Sequence, residues 1–397
     1  MAEWIECSIG DLCSTISDTY KGNDEYVVLV NTSDVLEGKV LNHETVANKN
    51  LKGQFKKTFK RDDILYSEIR PANKRFAYID FENTSNYIAS TKLMVLRHNE
   101  KVLPEYLFAL LKSNYVIAEL QHLAETRSGT FPQITFSSEL APMKVFLPDK
   151  DTQIRIVSIL SSIEQKIDKN NEINNNLLEQ ALAIYKDWFC DYALSDGILP
   201  ENWKITTIDA ISSLVTRGIA PKYDDSSDQI VLNQKCIRDH TIDISLSRRH
   251  LPKKINEKWI SKGDLLINST GTGTLGRVAQ VWFEANNMTV DSHVTIVRPK
   301  DPILQSYIGF WGLSHESEIE AQHTGSTGQT ELPRDRVKAM ELPLPDEDTL
   351  SKFNELVIPM TSTVISNQEE NDRLSQLRDA LLPKLMSSEL DVSDIDL

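Results

Sequence analysis

Four cysteines in 397 residues are too few for a disulfide framework. Cys7, Cys13, Cys190 and Cys236 also share no paired ligand spacing, so reduced thiols and no metal site are expected. No apolar run approaches ~20 residues, the length needed to cross a bilayer as a helix. The opening Met1-Ala2-Glu3-Trp4 lacks the basic and apolar stretches of a secretory signal, so a cytoplasmic protein is expected. Catalytic signatures are missing as well. There is no G-x-x-x-x-G-K-[ST] phosphate loop, no H-E-x-x-H, no Gly-x-Ser-x-Gly and no Asn-Pro-Pro-aromatic tetrapeptide. The eight histidines are scattered. Catalysis by this chain alone is therefore not expected, and no cofactor of its own.

Basic charge is in short supply, but unevenly. The net charge is −15, which looks wrong for a nucleic-acid binder. Residues 1–147 carry only −2 and residues 200–345 only −1, whereas 148–199 carry −4 and 346–397 carry −8. The acidic segments suit protein contacts better than phosphate, and the near-neutral ones leave room for local basic faces.

What is present is a helical stretch that occurs twice, about Asp151 to Phe189 and Asp348 to Met386. A shift of 197 positions lays Ile156 on Phe353, Leu160 on Val357, Ile163 on Met360 and Ile167 on Val364. It also lays Leu177 on Leu374, Ile184 on Leu381 and Trp188 on Leu385. Steps of four and three describe one face of a helix that packs on a partner helix. Two asparagines interrupt the face in both copies, Asn170 over Asn367 and Asn174 over Asn371. Polar residues in such a seam cost stability and pin register, so matched polar layers point to each copy being the other's partner. The alternative is two unrelated amphipathic helices on separate cores. Pro359, inside the second frame, is expected to kink that helix or to end a short entry helix.

The segments before the two helices also echo one another. Residues 1–150 alternate short strands with turns: Trp4 to Ile9, Tyr26 to Asn31, Asp63 to Tyr66, Phe76 to Asp80, Leu93 to Arg97 and Lys144 to Leu147. Pro104 to Leu123 has the pattern of one helix. After the linker Leu194 to Pro200 the pattern restarts. Trp203-Lys204-Ile205 echoes Trp4-Ile5-Glu6, Thr289 to Arg298 echoes Ile88 to Arg97, and Gly325 to Gln329 echoes Gly129 to Gln133. The expected class is α+β with an internal two-fold repeat. Domain 1 covers residues 1–150, the first spacer helix 151–190, domain 2 200–345 and the second spacer helix 346–390. Two globular domains would be separated by a pair of long antiparallel coiled-coil helices.

Polar loops are the candidate binding residues. In the first domain they are Arg70, Asn73, Lys74 and Arg75 in one loop, Lys92 in a second, and Arg127, Ser128 and Gln133 in a third. In the second domain the matching places hold Thr272, Thr274 and Arg277, then His293, then Gln329. These residue types can read base edges in a DNA groove. Lys49 to Arg61, and Arg248, Arg249, Lys253, Lys254 and Lys258, are candidate phosphate strips. Gly271 to Gly276 matches G-x-G-x-x-G, but a dinucleotide site needs a helix next, and Arg277 to Phe283 is strand-like. A glycine-rich turn between strands is expected, with a bound nucleotide as the alternative.

The ordered set resembles the DNA-specificity (S) subunit of type I restriction-modification systems. The similar stretches are Leu147-Pro148 with Gln153 to Leu160, Ala181 to Phe189, Leu199 to Trp203 and Leu374 to Met386. The resemblance implies a noncatalytic subunit in which each globular domain reads one half of a bipartite site on double-stranded DNA. Ile163, Ile167, Asn170, Asn174 and Leu177 of one spacer would pair with Met360, Val364, Asn367, Asn371 and Leu374 of the other. Two methylation (M) subunits would dock on the chain and supply S-adenosylmethionine and the chemistry, with restriction (R) subunits as an optional addition. A coiled-coil adaptor that binds proteins and no DNA is the rival reading.

Overall fold

The computed structural model describes residues 4–49, 53–127, 130–251, 255–271, 273–325 and 330–392. The chain forms two compact units, one of residues 1–167 with 372–397 and the other of residues 168–371. Both long helices contribute to both units, because each runs for 40 residues, Lys150–Phe189 and Glu347–Met386. Their starts are built alike. Asp149 accepts from the Thr152 amide at 2.9 Å and Asp346 from the Thr349 amide at 3.0 Å. Each therefore satisfies one of the free amides at a helix start. Pro359 does not end the second helix, and the Thr363 hydroxyl donates to the Pro359 carbonyl at 2.9 Å.

In the first unit an antiparallel sheet has the order Cys13–Ile16, Leu93–His98, Ile64–Ser67, Phe76–Tyr78. A second sheet has the order Thr45–Ala47, Tyr26–Val30, Tyr87–Ser90, Phe55–Lys57, with Tyr26–Val30 and Tyr87–Ser90 parallel. Trp4–Ser8 pairs separately with Lys144–Pro148. Residues 93–96 are apolar on both faces and buried throughout, because the strand lies between two cores. The segment from Pro104 is two helices, Pro104–Leu111 and Asn114–Arg127, where one was expected. Ser113 makes the break, since its hydroxyl accepts from the Val116 amide and starts a new helix.

The second unit has a sheet in the order Ser212–Arg217, Val294–Pro299, Leu265–Asn268, Val278–Gln280, and a second sheet Arg248–Arg249, Ile230–Leu232, Met288–Val290 with the last pair parallel. Lys204–Thr207 pairs with Glu341–Leu344. Leu265–Asn268 and Val278–Gln280 are antiparallel neighbours, so the glycine-rich segment is a turn between strands and no helix follows it.

The long helices close a core in each unit. In the first, Ile156 and Leu160 share a cluster with Leu382 and Leu385. In the second, Ala181, Tyr185 and Phe189 share one with Leu350, Phe353 and Val357. Hydrogen bonds inside the second unit set the direction. Asn170 Nδ2 donates to Asn371 Oδ1 at 2.9 Å, and Asn367 Nδ2 donates to Asn174 Oδ1 at 2.8 Å. The partner number falls by four as the first rises by four, so these segments run in opposite directions. Ile163, Asn170, Asn174, Val364 and Asn371 are buried, and Ile167, Met360, Asn367 and Leu374 half-buried. Leu177 is also half-buried, and its neighbour Leu178 takes the buried slot. A straight α-helix has 3.6 residues per turn, so a face drawn at 3.5 drifts by ~20° per heptad, about 40° over the two heptads from Ile163 to Leu177, toward the following residue.

Candidate nucleic-acid interface

Each unit is cross-braced by a buried carboxylate and an arginine. Asp63 binds Arg97 in two-pronged fashion, at 2.7 Å to both Nε and Nη2. Asp264 binds Arg298 in the same way, at 2.8 and 2.7 Å. The hydrogen bonds to these carboxylates raise the pKa of both guanidinium groups. The residues were not identified from the sequence. The signal was an aspartate and an arginine 34 positions apart in both halves.

Against this frame the first unit brings three loops together. Ile69 bridges Gln133, the Arg70 amide donates to the Pro132 carbonyl at 3.1 Å, and the Glu68 amide donates to the Lys92 carbonyl at 3.0 Å. Arg70, Lys92 and Gln133 are therefore neighbours along the backbone ladder. The turn is held in an unusual shape, with Arg70 at φ 45° and Lys74 at φ 51°, both left-handed. Such backbone is costly and is held by its surroundings, here by Asn73 to Arg70 and Lys74 to Pro71 hydrogen bonds. Arg70 and Asn73 are exposed. Lys74 pairs with Glu37 at 3.2 Å, Lys92 with Glu68 at 3.4 Å and Arg127 with Glu139 at 3.1 Å. Arg75 is half-buried, and its Nη1 donates to the carbonyls of Ser33 and Val35 in the adjoining loop at 3.0 and 3.3 Å. Both bonds come from that one nitrogen of its fork. Ser128 lies outside the described residues, as do Thr272 and Gln329.

The second unit repeats the ladder with different side chains. The Ser269 amide donates to the His293 carbonyl at 2.7 Å, and the Leu332 amide to the Ser269 carbonyl at 2.8 Å. Thr270 bridges Glu331. Glu331, which the sequence reading passed over, therefore occupies the place that Gln133 holds in the first unit. The echo drawn to Gln329 is two residues out of step, because the second loop is longer. Arg217 holds Glu331 at 2.7 Å. Thr274 and Arg277 are half-buried in the glycine-rich turn, and His293 is exposed beside Thr270.

Some members of the two basic strips are committed to internal partners. Lys57 donates to the carbonyls of Thr91 and Leu93, and burial lowers its pKa. Arg61 pairs with Glu82 at 2.6 Å, and Lys258 donates to the Gly218 carbonyl at 3.0 Å. Arg248 stacks over the Tyr223 ring at 3.4 Å. Lys52, Lys253 and Lys254 lie outside the described residues. No group of three His, Cys, Asp or Glu among the described residues could hold a metal, and no helix among them is long and apolar enough to cross a membrane.

The profile of the type I restriction modification DNA specificity domain matches residues 1–179. The specificity subunit of the type I restriction enzyme HindI from Haemophilus influenzae is 30% identical, across 98% of this chain and 100% of that protein. The MjaIX specificity subunit from Methanocaldococcus jannaschii is 24% identical across 74% of this chain and 71% of its own length. The fold resembles the crystal structure of a type I restriction-modification S subunit from M. genitalium, with a TM-score of 0.54 at 14% identity, covering 97% of this chain and 96% of that one. With a relative of 30% identity spanning its length, the chain belongs to the family of type I restriction-enzyme DNA specificity subunits.

Proposed function

We propose that this chain is the noncatalytic DNA-reading subunit of a type I restriction-modification complex. Domain 1, residues 1–150, reads one half of a bipartite duplex site, and domain 2, residues 200–345, reads the other. The spacer segments, 151–190 and 346–390, pair as an antiparallel coiled coil, set the gap and dock two methylation subunits, which bring S-adenosylmethionine. Restriction subunits are an optional addition to the same assembly. The chain is, in this reading, an internal duplication.

The observation that carries the reading is a shared loop ladder with unlike side chains. Ile69, Lys92 and Gln133 stand on it in one unit, with Arg70 next to Ile69, and Thr270, His293 and Glu331 in the other. A constant frame with different polar residues at its rim suits two heads that read different sequences. The acidic spacers suit protein contact rather than phosphate. A helix of 40 residues is about 60 Å long at ~1.5 Å per residue, against about 34–36 Å for one DNA turn. Half-sites one to two turns apart fit that ruler.

The test is to exchange residues 200–345 for those of another family member in the complete complex and to sequence the host methylome. One half-site is expected to change and the other to stay. A change in both, or in neither, would overturn the modular reading.

A further inference from the structure

Beside the loop ladder, the second unit holds a cleft lined by Arg217, Lys258 and Arg334 together with Glu331 and Asp335. The three cations come from separate elements. Arg217 ends the strand Ser212–Arg217, Lys258 ends the turn Asn256–Lys258, and Arg334 starts the short helix Arg334–Lys338. No spacing in the sequence joins them, and only the fold brings them to one place. None of the three stands on the ladder itself.

The charges of the cleft do not cancel. Arg217 and Glu331 answer one another: Nη1 lies 2.7 Å from Glu331 Oε1, while Nη2 donates to the Leu332 carbonyl at 2.8 Å. Lys258 Nζ donates to the Gly218 carbonyl at 3.0 Å, and among the described residues it meets no carboxylate. An ammonium has three donors, so two are left, and a neutral carbonyl leaves its charge uncompensated. Arg334 has its chain neighbour Asp335 at 3.7 Å, and both side chains are exposed, so water screens that pair. One positive charge is in excess, and the donors of Lys258 and Arg334 are available to an anion. The first unit differs at the matching places. Ile16 lies opposite Val95 as Thr216 lies opposite Ile296, so Ser17 takes the place of Arg217. The Ile134 and Leu332 amides make the same ladder bond, to Glu68 and Ser269, so Phe136 takes the place of Arg334. Neither is charged.

We infer that this cleft is a subsite for one phosphodiester of the duplex backbone beside the second half-site. Lys258 and Arg334 hold the phosphate. Arg217 is a positioning residue, because it neutralises Glu331, which would otherwise repel the anion. A phosphate contact carries no sequence information, so the cleft anchors the second head without reading a base. The two heads are thereby unequal: the second has a sequence-independent, salt-sensitive anchor at a place where the first has none. This inference rests on the DNA-reading function proposed above.

The experiment uses the complete complex with its methylation subunits and measures duplex binding across a salt series. One phosphate contact has a slope of ~0.9, so it accounts for about 3.5-fold in affinity between about 50 and 200 mM salt. The K258Q/R334Q complex is expected to lose that part of the salt dependence while methylating the same sequence. R334Q alone changes an exposed side chain, keeps the fold and loses part of it. Duplexes that each carry one neutral methylphosphonate linkage locate the contact. A linkage beside the second half-site should weaken the wild type and have no further effect on the double variant. Three outcomes would overturn the inference: an unchanged salt slope in both variants, no linkage whose effect depends on these side chains, or thermal stabilisation of the wild type but not R334Q by inorganic phosphate with no such linkage, which would make the cleft a site for the free ion. A wild-type complex that binds no bipartite duplex would instead remove the DNA-reading function itself, so the two failures are separable.

Discussion

The asparagine layer offers the sharpest energetic prediction. Asn170 is 1% exposed, and its Nδ2 gives two hydrogen bonds, to Asn371 Oδ1 at 2.9 Å and to Glu370 Oε2 at 2.7 Å. A neutral bond contributes about 0.5–1.5 kcal/mol and one to a charged group about 1.5–3 kcal/mol, so N170A should cost roughly 2–4 kcal/mol. N371A removes one end of the same link and also the bond from Asn371 Nδ2 to Asn171 Oδ1. The double variant loses the shared link only once. A double-mutant cycle should therefore give a coupling energy of about 0.5–1.5 kcal/mol, the value of that neutral link. The assay is amide hydrogen exchange along residues 168–176, which reads local opening without requiring the two units to unfold together. If the single-variant costs add to within about 0.5 kcal/mol, the two asparagines are not energetically paired and the helix register is set elsewhere.

Two further outcomes follow from the second unit. Hydrogen bonding, first from the Thr349 amide, holds the Asp346 carboxyl at about 2, below its ordinary 3.8. A depressed carboxylate pKa adds stability above about pH 4 that is lost as the pH falls towards 2. D346A should cost about 1 kcal/mol at neutral pH, as expected for an N-cap on a partly solvated surface, and the gap should close near pH 2. Equal stability of the two proteins at pH 7 in denaturant titrations would refute it. Phe189 packs against Phe353 at 5.0 Å, Tyr307 at 5.0 Å and Trp203 at 5.7 Å between ring centroids. F189A should cost ~3–5 kcal/mol of second-unit stability, and a loss under about 1 kcal/mol in thermal or denaturant unfolding would show that the helix end is not part of that core.

Much of the frame was legible because it is periodic. The long helices were marked by apolar steps of three and four, and the structure places them within a residue of the repeats at Asp151 to Phe189 and Asp348 to Met386, the second ending four residues before the 390 expected for its spacer segment. The strands were marked by β-branched runs, and Leu93–His98 and Tyr26–Val30 lie where those runs do. The break at Ser113 was missed because a serine that caps a new helix looks, in a pattern of apolar spacings, like any polar residue on one helix. The binding loops were legible only as places. Arg75 has the residue type of a base reader, and only the structure shows that its Nη1 donates to the carbonyls of Ser33 and Val35. Glu331 was overlooked because loop length, not residue type, decides which side chain reaches the ladder.

By itself the sequence determined two repeated amphipathic helices, two α+β segments of near-neutral charge, and the absence of a catalytic signature. These are local or additive properties, carried by spacing and composition. Only the tertiary structure decided which asparagine meets which, that Asp63 and Asp264 each grip an arginine 34 residues away, and that His293 leans on Thr270. Those contacts join residues distant in sequence, and the geometry of hydrogen bonds, fixed to tenths of an ångström, appears only once the chain has brought them together.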